Sequence, residues 1–138
     1  MELKEIMTAD VCIIAPTATI GAAARMMRER NIGMLPVGEN DRLVGSITDR
    51  DIAIKGAADD KDPGATSVRE VMSERIVYGF EDQSVEEGAR LMGENQIRRL
   101  PVLDRDKRMV GIVSLGDIAE RCASPTPAGE TLAAVSQG

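Results

Sequence analysis

Apolar residues fall in short blocks separated by charged turns, and the blocks come in the same order twice. Ile20, Ala23, Ala24 and Met27 stand at helical intervals, and so do Val85, Ala89 and Met92. That spacing predicts two amphipathic helices, each with one buried face. Thr19 opens the first, and Ser84 opens the second with Glu87 at capping-box spacing. Each helix leads into a short strand ending Leu-Pro-Val, at 35–37 and 100–102. A polar turn follows, 38–42 or 104–108, and then a second apolar run, 43–47 or 109–113. Two runs around a turn predict an antiparallel hairpin. A last helix is predicted from Thr48 and from Ser114. Upstream, the pattern predicts short helices over 2–8 and 67–73, with Ser67 and Glu70 at capping-box spacing, and short strands over 11–14 and 76–78.

The order in each half is β-α-β-β-α, and the residues match as well as the pattern. Ile32-Gly33-Met34-Leu35-Pro36-Val37 returns as Ile97-Arg98-Arg99-Leu100-Pro101-Val102, and Gly45-Ser46-Ile47-Thr48-Asp49-Arg50-Asp51-Ile52-Ala53 as Gly111-Ile112-Val113-Ser114-Leu115-Gly116-Asp117-Ile118-Ala119. Leu35 and Leu100 lie 65 positions apart, Gly45 and Gly111 lie 66 apart, so one residue is inserted in the second hairpin turn. A solenoid needs about three repeats or more. Two long copies predict instead an α/β (α+β) fold: two β-α-β-β-α repeats packed with pseudo-two-fold symmetry, with a cleft between them. Clefts of this kind commonly take ligands. The expected divisions are a first repeat at 1–66, with the N-terminal helix and the Pro63-Gly64 linker, a second at 67–123, and a loosely held tail at 124–138.

Composition narrows the function classes. The net charge is −6 with no basic run, which argues against nucleic acid and anionic membranes as partners. Tyr78 and Phe80 are the only aromatics, so there is no stacking platform for single strands. No apolar stretch is long enough to span a bilayer and the N-terminus has no signal-peptide core, from which a cytoplasmic location is expected. The chain contains no His, the commonest general base and a frequent metal ligand. Cys12 and Cys122 are isolated and read as small apolar residues in a reducing compartment. Asp59, Asp60 and Asp62 lack the rest of a calcium loop and read as a solvated linker.

The sharpest local chemistry is Gly-x-x-Ser/Thr-x-x-Asp at the predicted strand-to-helix junctions: Gly45, Thr48 and Asp51, then Gly111, Ser114 and Asp117. The plain reading is a helix cap with an acid in the first turn. The motif also stands twice at the end of a strand, where α/β proteins bind ligands. An Asp carboxylate accepts both hydroxyls of a ribose, and a Ser or Thr hydroxyl can hold a phosphate. Arg98 and Arg99 stand just before the second Leu-Pro-Val strand and suit phosphate. The matching residues of the first repeat are Gly33 and Met34, so the repeats are chemically lopsided there. Arg50 and Lys55 are further basic candidates.

Taken together, the paired Leu-Pro-Val strands, Val-Gly-Ser-Ile-Thr-Asp-Arg-Asp-Ile and Val-Gly-Ile-Val-Ser-Leu-Gly-Asp-Ile resemble tandem cystathionine-β-synthase (CBS) repeats, a Bateman module. The resemblance spans about residues 2–122 and is to the small stand-alone bacterial CBS-pair type that includes hypoxic-response proteins. It implies AMP, ADP, ATP, NAD or S-adenosylmethionine as regulatory ligand, no obligatory cofactor, and a homodimer. It implies one site with Asp117 as ribose acceptor and Ser114 at the phosphate, lined by Thr8 and Cys12, with Ile32 and Gly33 near the adenine. The other would use Asp51 and Thr48, with Ser73, Val77 and Ile97 in the matching places. Arg98, with Arg99 beside it, stands where relatives carry a basic residue for phosphate.

Two function classes follow. The first is a regulatory sensor of energy or metabolic state, active in a stress response, that signals to an effector protein by conformational shift. The second is a CBS-pair scaffold that binds no ligand and acts through its dimer surface. An enzyme is not expected, since no nucleophile–base pair or metal cluster is evident.

Overall fold

The two long helices begin at the predicted caps and end on left-handed residues. In the computed structural model, which describes residues 1–9 and 11–121, helix α1 spans Ile20–Arg30 and α4 spans Val85–Asn95. Thr19 Oγ1 accepts the Ala22 N–H, and Ser84 Oγ accepts the Glu87 N–H, both at 3.1 Å. The Glu87 carboxylate does not complete a reciprocal box; it accepts Gln83 Nε2 at 3.1 Å. Asn31 and Gln96 end the helices at φ 54° and 53°, a conformation that Asn tolerates better than most residues.

Strands β1 (Met34–Glu39) and β2 (Arg42–Thr48) form one antiparallel hairpin. Strands β4 (Arg99–Leu103) and β5 (Met109–Ser114) form the other, with β3 (Gly79–Phe80) parallel to β4. Both hairpins carry a register shift at the same place, after Val37 and after Val102. The inserted residue lies in the second turn. Asn40 and Asp41 close the first hairpin with both φ positive, a tight two-residue turn. The second closes through Asp104, whose Oδ1 accepts the N–H groups of Asp106 and Arg108 at 2.9 Å, with Lys107 alone at positive φ.

The expected strands at 11–14 and 76–78 are not formed. Ile14 alone bridges Val37, and the later strand lies further on at Gly79–Phe80. Proline is the cause. Ile14 N–H donates to the Pro36 carbonyl at 3.1 Å and the Gly38 N–H returns to Ile14 at 3.0 Å. The next rung back would need an N–H from Pro36, and from Pro101 in the second copy, and proline has none. The expected helices at 2–8 and 67–73 are likewise single turns: a 3-10 turn at Leu3–Glu5 and helix α3 at Val68–Val71.

Two compact units result, and each takes its leading segment from the other end of the sequence repeat. Among the described residues, one comprises 1–9, 11 and 77–121; the other runs Cys12–Ile76. In the first, Leu3 and Ile6 are buried with Val85, Met92, Leu100, Val113 and Ile118. In the second, Val68 and Val71 are buried with Ile20, Met27, Leu35, Val37 and Ile47. The segments also extend the sheets. Thr8 and Ile112 exchange backbone bonds at 2.9 and 3.0 Å, and Ser73 and Ser46 do so at 2.9 Å each. No helix among the described residues is long and apolar enough to cross a membrane. The predicted tail at 124–138, and Cys122, lie outside the described residues.

Candidate functional site

The two strand-to-helix junctions share one hydrogen-bond scheme. Helix α2 (Asp49–Asp51) follows β2, continues through a π turn at Ile52–Gly56, and ends in a 3-10 turn at Ala57–Asp59. Thr48 Oγ1 accepts the Asp51 N–H and Asp51 Oδ2 accepts the Thr48 N–H, both at 3.0 Å. Helix α5 (Leu115–Arg121) follows β5 without a π turn. Ser114 Oγ accepts the Asp117 N–H at 3.1 Å and Asp117 Oδ2 accepts the Ser114 N–H at 2.9 Å. Each is a reciprocal capping box, which satisfies two backbone donors and fixes the direction of the carboxylate.

Asp51 Oδ1 lies 3.4 Å from Lys55 Nζ, an ion pair one helical turn away. No group among the described residues bonds Asp117 Oδ1. Both Asp side chains are half-buried.

The predicted site residues divide between the units. The unit containing residues 1–9 and 11 brings together Thr8, Arg98, Arg99, Ser114 and Asp117. Thr8 pairs with Ile112, two residues before Ser114. Arg99 is the cross-strand partner of Ser114, and the Arg98 carbonyl accepts the Leu115 N–H at 3.1 Å. Arg98 is exposed, Arg99 half-buried, and neither makes an ion pair among the described residues. Val77 and Ile97 pack against this unit's core. The other unit holds Cys12, Ile32, Gly33, Thr48, Asp51 and Ser73. Cys12 and Ile32 pack on its core, Cys12 as a free thiol, and Ser73 pairs with Ser46.

One contact lies outside the sequence reading. The Asp49 carboxylate sits directly over Gly33: a Cβ at Gly33 would lie 2.9 Å from Asp49 Oδ2. The signal is the glycine itself, standing where the second copy has Arg98.

The CBS domain family matches residues 3–56 and 68–124, so each match contains one junction. The chain belongs to the CBS domain family. It is 43% identical over 134 residues to the CBS domain-containing protein YhcV of Bacillus subtilis, covering 97% of this chain and 94% of that one. It is 44% identical over 117 residues to hypoxic response protein 1 of Mycobacterium tuberculosis, covering 84% and 81%. A crystal structure of Hypoxic Response Protein I with two coordinated zinc ions superposes with a TM-score of 0.80 at 41% identity, covering 88% of this chain and 99% of that one. The CBS domain pair of protein MJ0100, in complex with 5′-methylthioadenosine and S-adenosyl-L-methionine, superposes at 0.73 and 31% identity, covering 87% and 98%. As in these relatives, the CBS pair accounts for the mixed α/β fold read from the sequence. The chain has no His, and among the described residues no group of three or more Cys, Asp or Glu is placed to hold a metal ion.

Proposed function

We propose that this CBS pair is a regulatory module that binds an adenosine-containing compound and passes its occupancy to a partner protein through a conformational shift. One observation carries the reading: the cap holds Asp117 by Oδ2 alone and leaves Oδ1 without a bond among the described residues. A carboxylate has about four lone-pair positions, so the capped Asp117 keeps room for two ribose hydroxyls. Ser114 keeps its own O–H as a donor for a phosphate, with the Arg98 and Arg99 guanidiniums in the same unit. The MJ0100 pair, crystallised with two adenosine compounds, supports an adenosine ligand here. AMP, ADP, ATP, NAD and S-adenosylmethionine all present that moiety, and a module that discriminates among them reports energy or metabolic state. Ligand binding shifts the population toward the arrangement it prefers. On this reading the protein acts as a cytoplasmic homodimer, without catalysis, in a stress response.

The scaffold reading also has an observation in its favour. The two capping boxes alone account for both Ser/Thr-x-x-Asp motifs without any ligand. Titration calorimetry of nucleotide-stripped protein with AMP, ADP, ATP, NAD and S-adenosylmethionine separates the two. Saturable binding that Asp117→Ala weakens supports the sensor. A folded dimer that binds none of them supports the scaffold.

A further inference from the structure

The two junctions share a backbone frame but differ in the charge set at Gly33 and Arg98: Asp49, with exposed Arg50 next to it in the chain, in the first copy and Arg98 with Arg99 in the second. Asp49 N–H donates to the Gly33 carbonyl at 3.0 Å, just as Leu115 N–H donates to Arg98. In the second copy Leu115 is turned into the core and Arg98 projects as an exposed cation. In the first copy there is no side chain at Gly33, and the Asp49 carboxylate fills that space. Asp49 is exposed, its Oδ1 accepts the Arg50 N–H at 2.8 Å, and it has no ion pair among the described residues. Lys55 compensates Asp51, not Asp49. Opposite Ser114 across the hairpin stands Arg99; opposite Thr48 stands Met34.

We infer that the Thr48–Asp51 junction takes an adenosine compound whose 5′ substituent is uncharged or cationic, and that Asp49 is the residue that excludes a phosphate there. The inference rests on the adenosine reading and refines it: the Ser114–Asp117 junction takes the anionic members of the class. A dianionic phosphate held beside Thr48 meets the Asp49 carboxylate, which has no ion pair among the described residues, whereas a sulfonium is attracted to it. At separations of a few ångströms in a half-exposed site, one such charge changes affinity by roughly fivefold or more.

The test uses the full chain with Asp117→Ala, so that the first junction reports alone, and with Asp117→Asn as a second background that retains a cap acceptor. Adenosine, AMP and S-adenosylmethionine are titrated calorimetrically with and without Asp49→Asn. The expected result is AMP at least about fivefold weaker than adenosine, with Asp49→Asn closing that gap and weakening S-adenosylmethionine. An AMP-to-adenosine ratio that Asp49→Asn leaves unmoved overturns the role of Asp49. Loss of all adenosine binding in both Asp117 backgrounds, with wild-type binding intact, overturns the assignment of a ligand to this junction. Failure of the wild-type protein to bind any of the three contradicts the adenosine reading itself.

Discussion

Ser114 and Asp117 hold each other in both directions: the Ser114 hydroxyl oxygen accepts the Asp117 N–H at 3.1 Å and the Asp117 carboxylate accepts the Ser114 N–H at 2.9 Å. One carboxylate oxygen is thereby structural and the other has no partner among the described residues. Asp117→Ala removes the carboxylate bond to the Ser114 N–H and is expected to cost about 1 kcal/mol. Asp117→Asn keeps an acceptor and is expected to cost less. Urea unfolding of the two variants beside wild type checks the order.

The N-terminal segment is a structural part of the second repeat's unit. Leu3 is fully buried, and its Cδ atoms fill the space over Gly79 and Gly88, where a Cβ would lie 2.8 and 2.7 Å away. Leu3→Ala is expected to destabilise the protein by about 2–5 kcal/mol. The expected sign is a lower urea midpoint with an unchanged slope.

Gly45 is required by close approach rather than by conformation. A Cβ there would lie 2.7 Å from the Ser73 carbonyl oxygen, a backbone atom with no rotamer to move. Gly45→Ala is expected to cost about 1–3 kcal/mol and to disturb the Ser46–Ser73 pairing. Thermal unfolding gives the magnitude, and amide exchange at Ser46 and Ser73 locates it.

Arg105 grips Asp82 with two bonds, Nε at 2.9 Å and Nη2 at 2.7 Å, while its guanidinium lies 4.3 Å from the centre of the Phe80 ring. The bond from Arg105 holds the Asp82 carboxyl below its ordinary value of 3.8. A depressed carboxylate pKa stabilises the fold above the unfolded-state value, and that contribution is lost as pH falls through the folded-state value. Asp82→Asn is therefore expected to lower stability slightly at neutral pH and to differ less from wild type under strong acid. Urea midpoints at neutral pH and in strong acid check the sign, and added salt should shrink the neutral-pH difference.

Much of the molecule is legible in the chain because local rules and tertiary packing agree there. Thr19, Ser84, Thr48 and Ser114 cap the helices the pattern predicts, and the extra residue of the second copy lies in the Asp104–Arg108 turn, as the change in offset requires. The strands expected at 11–14 and 76–78 fail because apolar alternation is blind to the partner: Pro36 and Pro101 withhold the donors those strands need. The exchange of leading segments is hidden for a similar reason. Leu3, Ile6, Val68 and Val71 show an apolar face in the sequence, but nothing in that face names the core it joins. The capped state of Asp51 and Asp117 is legible from Ser/Thr-x-x-Asp. The ion pair to Lys55 and the position of Asp49 over Gly33 depend on side-chain placement that spacing does not encode.

The most direct test of the account is equilibrium binding of AMP, ADP, ATP, NAD and S-adenosylmethionine to nucleotide-stripped wild-type protein beside Asp117→Asn. Saturable binding of at least one anionic member, AMP, ADP, ATP or NAD, is expected, weakened about tenfold or more by the substitution while the fold persists. A folded wild-type protein that binds none of them, or an Asp117→Asn variant that binds the anionic compounds as tightly as wild type, would contradict it.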